Sequence, residues 1–198
     1  MTLVLGLTGS IATGKSTVVS IFRSYGFPIV DGDQVARTIV QPGKPALKVI
    51  ANHFGREMIQ ANGELNRQAL GSLIFSQPEK RQALDQLLDS FLREEILRQI
   101  EEKKKEAALV IVDIPLLFER QYESAVDQVA VVYVPQAVQE ARLIARDGLT
   151  KVQALERMNS QLAIEVKKER ADVIFDNQGT LAETKSQVVH WLEKQKFI

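Results

Sequence analysis

The chain has no cysteine, which excludes disulfides and thiolate metal sites and fits a reducing compartment. It also lacks an excess of either charge. Lys plus Arg and Asp plus Glu both total 25, and the formal net charge is zero, so there is no global electrostatic case for nucleic acid or an anionic membrane as partner. No apolar stretch approaches bilayer-spanning length, and no membrane segment is expected. The apolar N-terminus is preceded by no Lys or Arg and runs straight into a glycine loop, so it reads as a buried strand rather than a signal peptide. Internal repeats, low-complexity tracts and flexible linkers are absent. The two histidines, His53 and His190, are far apart and have no second ligand at metal spacing; each is expected to be a surface or partly buried residue. A length of 198 residues suggests one domain, with room for an insertion and a sizeable core. A cytoplasmic, soluble, monomeric protein is the default expectation.

What is present is concentrated at the start. Leu3-Val4-Leu5-Gly6-Leu7-Thr8 leads into Gly9-Ser10-Ile11-Ala12-Thr13-Gly14-Lys15-Ser16-Thr17, an apolar run followed by the phosphate-binding P-loop pattern. Gly9 and Gly14 supply a tight turn and close backbone approach. The loop amides, through Ala12, Thr13, Gly14, Ser16 and Thr17, form the expected polyphosphate cradle, with the Lys15 ammonium against the β- and γ-phosphates and the Ser16 hydroxyl on Mg²⁺. Val18, Ile21, Phe22 and Tyr25 recur at helical spacing, which puts the anion on a helix N-terminus. A strand, a glycine turn and a capped helix could spell the same motif by chance, but the required context is in place on both sides.

Downstream, Gly26 is placed to end that helix, and Phe27-Pro28-Ile29-Val30 reads as a second strand before a helix carrying Val35, Ala36, Ile39 and Val40. Pro42-Gly43-Lys44-Pro45 breaks the pattern, and from there to about Glu106 the periodicity is helical with no convincing strand. The run Glu101-Glu102-Lys103-Lys104-Lys105-Glu106 reads as a solvated helix end. Leu109-Val110-Ile111-Val112 and Val129-Ala130-Val131-Val132-Tyr133-Val134 are near-continuous apolar runs, as in strands covered on both faces. A helix through Val138, Ala141 and Ile144 should end near Asp147-Gly148. Thr150 to Gln153 and Thr180 to Glu183 spell capping boxes, and Val173-Ile174-Phe175 is the last strand. The final helix carries Leu181, Val188, Val189 and Leu192. Strands alternating with helices predict an α/β fold with a parallel sheet of about five strands.

Asp31 and Asp33 follow the second strand, where ligands gather in open α/β sheets. Either could take a proton from an attacking hydroxyl or orient a metal shell; alternatively they cap the next helix, with Asp33 paired to Arg37. The upstream P-loop favours the functional reading for Asp33. Asp113 ends an apolar run as a Walker B aspartate does and could hold Mg²⁺, or it is a plain strand-end residue. Pro115 and Leu116, in the apolar loop after it, suit a pocket wall. Arg142 and Arg146 share a helix face, as in a lid that closes over polyphosphate; surface arginines paired with Glu140 or Asp147 would look the same.

Taken together these motifs resemble the dephospho-CoA kinase family over nearly the whole chain. The residues that carry the resemblance are the P-loop, Asp31-Gly32-Asp33 with Arg37, Pro42-Gly43, Leu65-Asn66-Arg67 with Leu70 and Phe75, Pro115-Leu116-Leu117-Phe118-Glu119, the Arg142 and Arg146 pair with Asp147-Gly148, Gln161, and Ala171-Asp172-Val173-Ile174-Phe175-Asp176-Asn177. The resemblance implies a three-layer P-loop kinase fold that phosphorylates the ribose 3′-hydroxyl of dephospho-coenzyme A with Mg-ATP. It implies Asp33 as general base, Lys15 and the loop amides on the phosphates, Arg142 and Arg146 as lid, and Arg37, Arg67, Pro115 and Leu116 on the acceptor. Asn177 and the two residues after it would contact the nucleotide. The nucleotide core would span about 1–41 and 107–198, the helical acceptor insert about 42–106 and the lid about 139–165 of a single kinase domain. Ser10 and Ala12 stand where the family usually has glycine, Gly32 where it has alanine, and Asp89-Ser90 where many members have His-Pro. A P-loop kinase of a nucleoside, nucleotide or shikimate-like acceptor is the alternative enzyme. A nucleotide switch is disfavoured by the absence of an Asn-Lys-x-Asp guanine-reading motif.

Overall fold

A computed structural model describes residues 2–198. In chain order the elements are β1 (Leu3–Gly9), α1 (Lys15–Ser24), β2 (Ile29–Asp31), α2 (Gly32–Thr38), α3 (Pro45–Phe54), α4 (Arg67–Ser76), α5 (Pro78–Lys103), β3 (Leu109–Asp113), β4 (Gln128–Tyr133), α6 (Gln136–Asp147), α7 (Lys151–Asn159), α8 (Ile164–Glu169), β5 (Val173–Asp176) and α9 (Leu181–Lys194). The chain divides into two compact units, one running to Asp31 and resuming at Ile100, the other spanning Gly32–Gln99.

The first unit holds the sheet, whose strands are all parallel in the order β2-β3-β1-β4-β5. The order turns back at β1, and that is where a doubly wound sheet leaves a crevice beyond its carboxyl ends. All five residues of β3 are buried, so both faces of this strand are covered, as its unbroken apolar run predicts. The core joins Leu5, Leu7, Ile111, Ala130 and Val132 of the sheet to Val18 and Phe22 of α1 and Val188, Trp191 and Leu192 of α9. Phe22, Phe175 and Trp191 meet edge to face at 5.9–6.3 Å, a geometry that adds about 1 kcal/mol per pair beyond burial. This packing anchors α1, and with it the P-loop.

Local signals set many boundaries. Gly26 (φ 83°) follows α1 and Gly148 (φ 65°) caps α6; both adopt the left-handed backbone that glycine reaches without strain. Thr150 and Thr180 form full capping boxes with Gln153 and Glu183. The second strand starts later than expected, at Ile29, because Pro28 has no N–H; its carbonyl still accepts from Ile111 N at 3.0 Å. Leu181, expected on the apolar face of the last helix, is 63% exposed, and the buried face is made by Thr184, Val188, Trp191 and Leu192. Helix α8 was not foreseen: it has six residues and no side-chain cap, so neither periodicity nor a start signal marks it.

In the second unit Leu47, Ile50, Met58, Leu65 and Leu70 are buried while Phe75 is 93% exposed. A single antiparallel bridge joins Ile59 to Leu65 where only helix was expected, with Gly63 (φ 82°) in its turn. Asn66 caps α4 by accepting from Ala69 N at 3.1 Å. Among the described residues no helix is long and apolar enough to cross a membrane.

Candidate active site

The P-loop joins β1 to α1, and its glycines are dictated by their neighbours. A Cβ on Gly9 would lie 2.6 Å from Thr13 Oγ1 and 3.0 Å from the Val132 carbonyl oxygen. Gly14 caps α1 in the left-handed region (φ 84°, ψ 28°), and a Cβ there would lie 2.0 Å from Asn177 Nδ2. Ala12 also has positive φ, 62°, at a place where glycine would be relaxed. The first turn of α1 contains no acidic residue, so nothing in the helix itself neutralises the partial positive charge of its N-terminus.

Lys15 begins α1 and forms an ion pair with Asp113 at the end of β3. Both side chains are largely buried, with 17% and 11% exposure. A lysine ammonium and a carboxylate paired here are groups whose chemistry suits, respectively, phosphate oxygens and a divalent cation. Ser16, the next residue, is exposed. Among the described residues there is no cluster of three or more metal-ligating side chains. One buried carboxylate and one hydroxyl are nevertheless the oxygen donors that suit Mg²⁺, which takes its other ligands from phosphates and water.

The loop is held from outside by side chains from four places. Gln139 Nε2 on α6 donates to the Ile11 carbonyl at 2.7 Å, and Ile11 N donates to Gln161 Oε1 at 2.8 Å. Asn177 Nδ2 donates to the Thr13 carbonyl at 2.8 Å while its Oδ1 accepts from Thr184 Oγ1 at 2.8 Å. The Lys167 ammonium on α8 reaches the Gly9 carbonyl at 3.4 Å. Asn177 therefore uses both ends of its amide inside the protein and supports the loop rather than presenting a free side chain.

The two arginines expected as a pair have different surroundings. Arg142 Nη2 donates to the Asn177 carbonyl at 2.9 Å, beside the P-loop support. Arg146 lies on the surface against Asp147, 2.8 Å away, and Asp147 also meets Arg157 at 2.8 Å. The Arg146 guanidinium, hydrogen-bonded to Asp147, holds that carboxyl below its usual range. For Arg146 the structure realises the surface ion pair, whereas Glu140 pairs with Lys151 at 3.3 Å.

In the second unit Asp33 occupies the first turn of α2 and is exposed. The alternative pairing with Arg37 is not formed among the described residues, whereas Asp31 is already engaged. Arg37 and Arg67, 30 positions apart in sequence, come together on one cleft of about 370 Å³, with Pro42, Gln60 and Glu64. Asp89 meets Arg93 at 3.9 Å. Pro115 and Leu116 are half-buried, and the Pro115 carbonyl accepts from Thr8 Oγ1 at 3.0 Å. His53 and His190 are both exposed.

Sequence reasoning missed Gln139 and Lys167. Gln139 stood in an ordinary helix, and Lys167 in the charged string Glu165-Val166-Lys167-Lys168-Glu169-Arg170, which gives no hint of burial. Gln161 was visible only through family resemblance.

Comparison with known proteins identifies the family. The family model described as dephospho-CoA kinase matches residues 3–183. A dephospho-CoA kinase of Enterococcus faecalis is 61% identical over 195 residues, covering 98% of each chain. The solved structure of a dephospho-CoA kinase from Campylobacter jejuni superposes with a TM-score of 0.78 at 30% identity, covering 98% of each chain. A shikimate kinase from Bacteroides thetaiotaomicron superposes with a TM-score of 0.52 at 16% identity and 98% coverage of both chains, which shows the shared fold alone. The chain belongs to the dephospho-CoA kinase family, which uses ATP with Mg²⁺ to phosphorylate dephospho-coenzyme A in the last step of coenzyme A biosynthesis.

Proposed function

We propose that this chain transfers the γ-phosphoryl group of ATP to the ribose 3′-hydroxyl of dephospho-coenzyme A, with Asp33 as general base. The observation that carries the donor half is the glycine loop on α1 with the Lys15–Asp113 pair beneath it. The loop amides from Gly9 through Thr13, Gly14 and Thr17 receive the phosphates. Lys15 would exchange Asp113 for the β- and γ-phosphate oxygens, and Asp113 and Ser16 would be the residues that hold Mg²⁺. When bound, Mg²⁺ neutralises charge on the transferring group. Arg142 adds positive charge at the same phosphates, and Arg146 joins it by exchanging its exposed partner Asp147 for nucleotide. Asn177 serves the nucleotide through the loop carbonyl that it holds.

Asp33 is exposed and unpaired, so its carboxylate is available to accept the hydroxyl proton; phosphoryl transfer demands chiefly position and charge neutralisation from the protein. The cleft shared by Arg37 and Arg67 offers two planar cations to the diphosphate of the acceptor; Pro115 and Leu116, in the first unit, are the apolar residues assigned to the same acceptor. The segment about 42–106 acts as acceptor insert and about 139–165 as lid, in a cytoplasmic monomer that acts on two small molecules.

The test is a coupled ADP-release assay across acceptors. Turnover is expected with dephospho-coenzyme A. Asp33→Asn should lower kcat by about 10²–10⁴-fold, the range for a lost general base, while ADP affinity is retained. Near-normal turnover in that variant removes Asp33 from the role. Turnover of a nucleoside, a nucleotide or shikimate with none of dephospho-coenzyme A overturns the acceptor.

A further inference from the structure

We propose that Lys167 is a positioning residue for phosphoryl transfer: its buried ammonium ties the carbonyl of the first P-loop glycine to the loop that follows Asp113, so that the phosphate cradle and the proposed metal carboxylate keep one mutual arrangement. The inference rests on the reading of the P-loop as the ATP site.

The geometry begins where the sheet stops. The β1–β3 ladder pairs Leu3 with Leu109 through Leu7 with Asp113 and closes with Ile114 N donating to the Leu7 carbonyl at 3.1 Å. The next residue on the β3 side is Pro115, which has no N–H with which to continue. Beyond this point Thr8 and Gly9 keep their pairing with β4 only. The strand end that carries the P-loop and the strand end that carries Asp113 have therefore lost their common backbone bonds just before the residues that must act together.

Lys167 fills that gap. Its side chain is fully buried and lies 3.2 Å from the Pro115 carbonyl oxygen, 3.4 Å from the Gly9 carbonyl oxygen and 2.9 Å from Glu119 Oε1. An ammonium has three protons, and here it has three acceptors, one on each of the chains to be joined and one counter-charge. Thr8 Oγ1 reinforces the junction by donating to the same Pro115 carbonyl at 3.0 Å. Glu119 Oε1 also accepts from Leu162 N at 3.0 Å, and Leu162 O in turn accepts from Ser10 Oγ at 3.3 Å. The network thus spans the P-loop, the loop after Asp113 and the segment leading into α8.

Chemistry argues against a purely structural purpose. Burial opposes the charge on Lys167, and the Glu119 hydrogen bond only partly offsets it, with Lys15 adding repulsion. A buried ion pair is a poor way to gain stability, since well-packed apolar residues of similar volume commonly do as well or better. What a lysine supplies here that an apolar side chain does not is a directional grip on two carbonyls from separate chain segments.

Three variants, Lys167→Met, Glu119→Gln and the double variant, separate position from stability. Steady-state kinetics for both substrates, ADP affinity by calorimetry and thermal unfolding are measured on each. Lys167→Met should lose about 10²-fold in kcat, the scale of a roughly 1 Å misplacement, and raise the KM for ATP while that for dephospho-coenzyme A stays within about two-fold. The double variant should regain melting temperature without regaining kcat, because removing both partners relieves the orphaned charge but leaves the carbonyls unjoined. If kcat and the KM for ATP of Lys167→Met stay within about two-fold of the parent, or activity returns together with stability in the double variant, the positioning role is overturned. Should Lys167→Met fail to fold, Glu119→Gln decides: a several-fold rise in the KM for ATP alone supports the proposal and unchanged ATP kinetics overturns it. Failure of the parent protein to bind ADP at all would instead sink the underlying ATP-site reading.

Discussion

Replacing Gly14 by alanine, with and without Asn177, measures how the P-loop is braced. A Cβ on Gly14 would sit 2.0 Å from Asn177 Nδ2, and that amide is buried and bonded at both ends, to the Thr13 carbonyl and to Thr184 Oγ1, each at 2.8 Å. Asn177→Ala removes both bonds and orphans a buried carbonyl, a cost of about 2–4 kcal/mol. Gly14→Ala places a side chain at φ 84°, worth about 1–2 kcal/mol of strain, and must also expel the amide, so it should lose about 3–5 kcal/mol. In the double variant the amide is already gone and only the strain is added. Its total should be about 3–6 kcal/mol, short of the additive sum by about 2–3 kcal/mol. Urea unfolding of the parent and the three variants gives the cycle directly. Additivity within about 0.5 kcal/mol would refute the shared-brace reasoning, since independent sites behave that way.

Three further outcomes are expected. Ala12→Gly should stabilise the protein by about 0.5–1 kcal/mol, because relief of left-handed strain at φ 62° exceeds the added entropy of the unfolded chain; a lower melting temperature would contradict this. Thr180→Ala removes a complete capping box from α9 and should cost about 1 kcal/mol in thermal or urea unfolding, and an unchanged midpoint would count against it. Glu95 is held down to about 2 by its hydrogen bond to Arg98, with Gln99 assisting. Its folded value lies below the unfolded one, so its stabilisation is complete above about pH 4.5 and is lost as the pH falls through about 2. Arg98 is 52% exposed, so Glu95→Gln should cost only about 0.5–1 kcal/mol at neutral pH and nothing near pH 2; an equal loss at both pH values would rule out the ionic origin.

The elements that nearest-neighbour chemistry governs were legible in the chain itself. The P-loop spacing, the unbroken apolar runs of β3 and β4, the glycine after α6 and the two Thr-initiated capping boxes are short-range codes, each satisfied by backbone geometry or hydrogen bonds within a few residues. Leu181 shows the limit of periodicity: it lies in the first turn of α9, and tertiary packing buries Thr184 rather than Leu181. The expected arginine pair shows a second limit. Helical spacing places Arg142 and Arg146 on one face, but it does not reveal that Arg142 turns to the Asn177 carbonyl while Arg146 stays with Asp147.

Local patterns along the chain are enough to establish a parallel α/β fold built on a phosphate-binding loop and, through the order of the motifs, the family to which the protein belongs. Tertiary structure alone decided what holds that loop. Lys15 meets Asp113 across 98 positions and Asn177 meets Thr13 across 164; Arg37 and Arg67 share a cleft; and Lys167, one lysine in a charged string, becomes the buried cation where the two strands part. Such pairings depend on where the sheet ends and on which polar groups are left without backbone partners there, and no local pattern of residues records that.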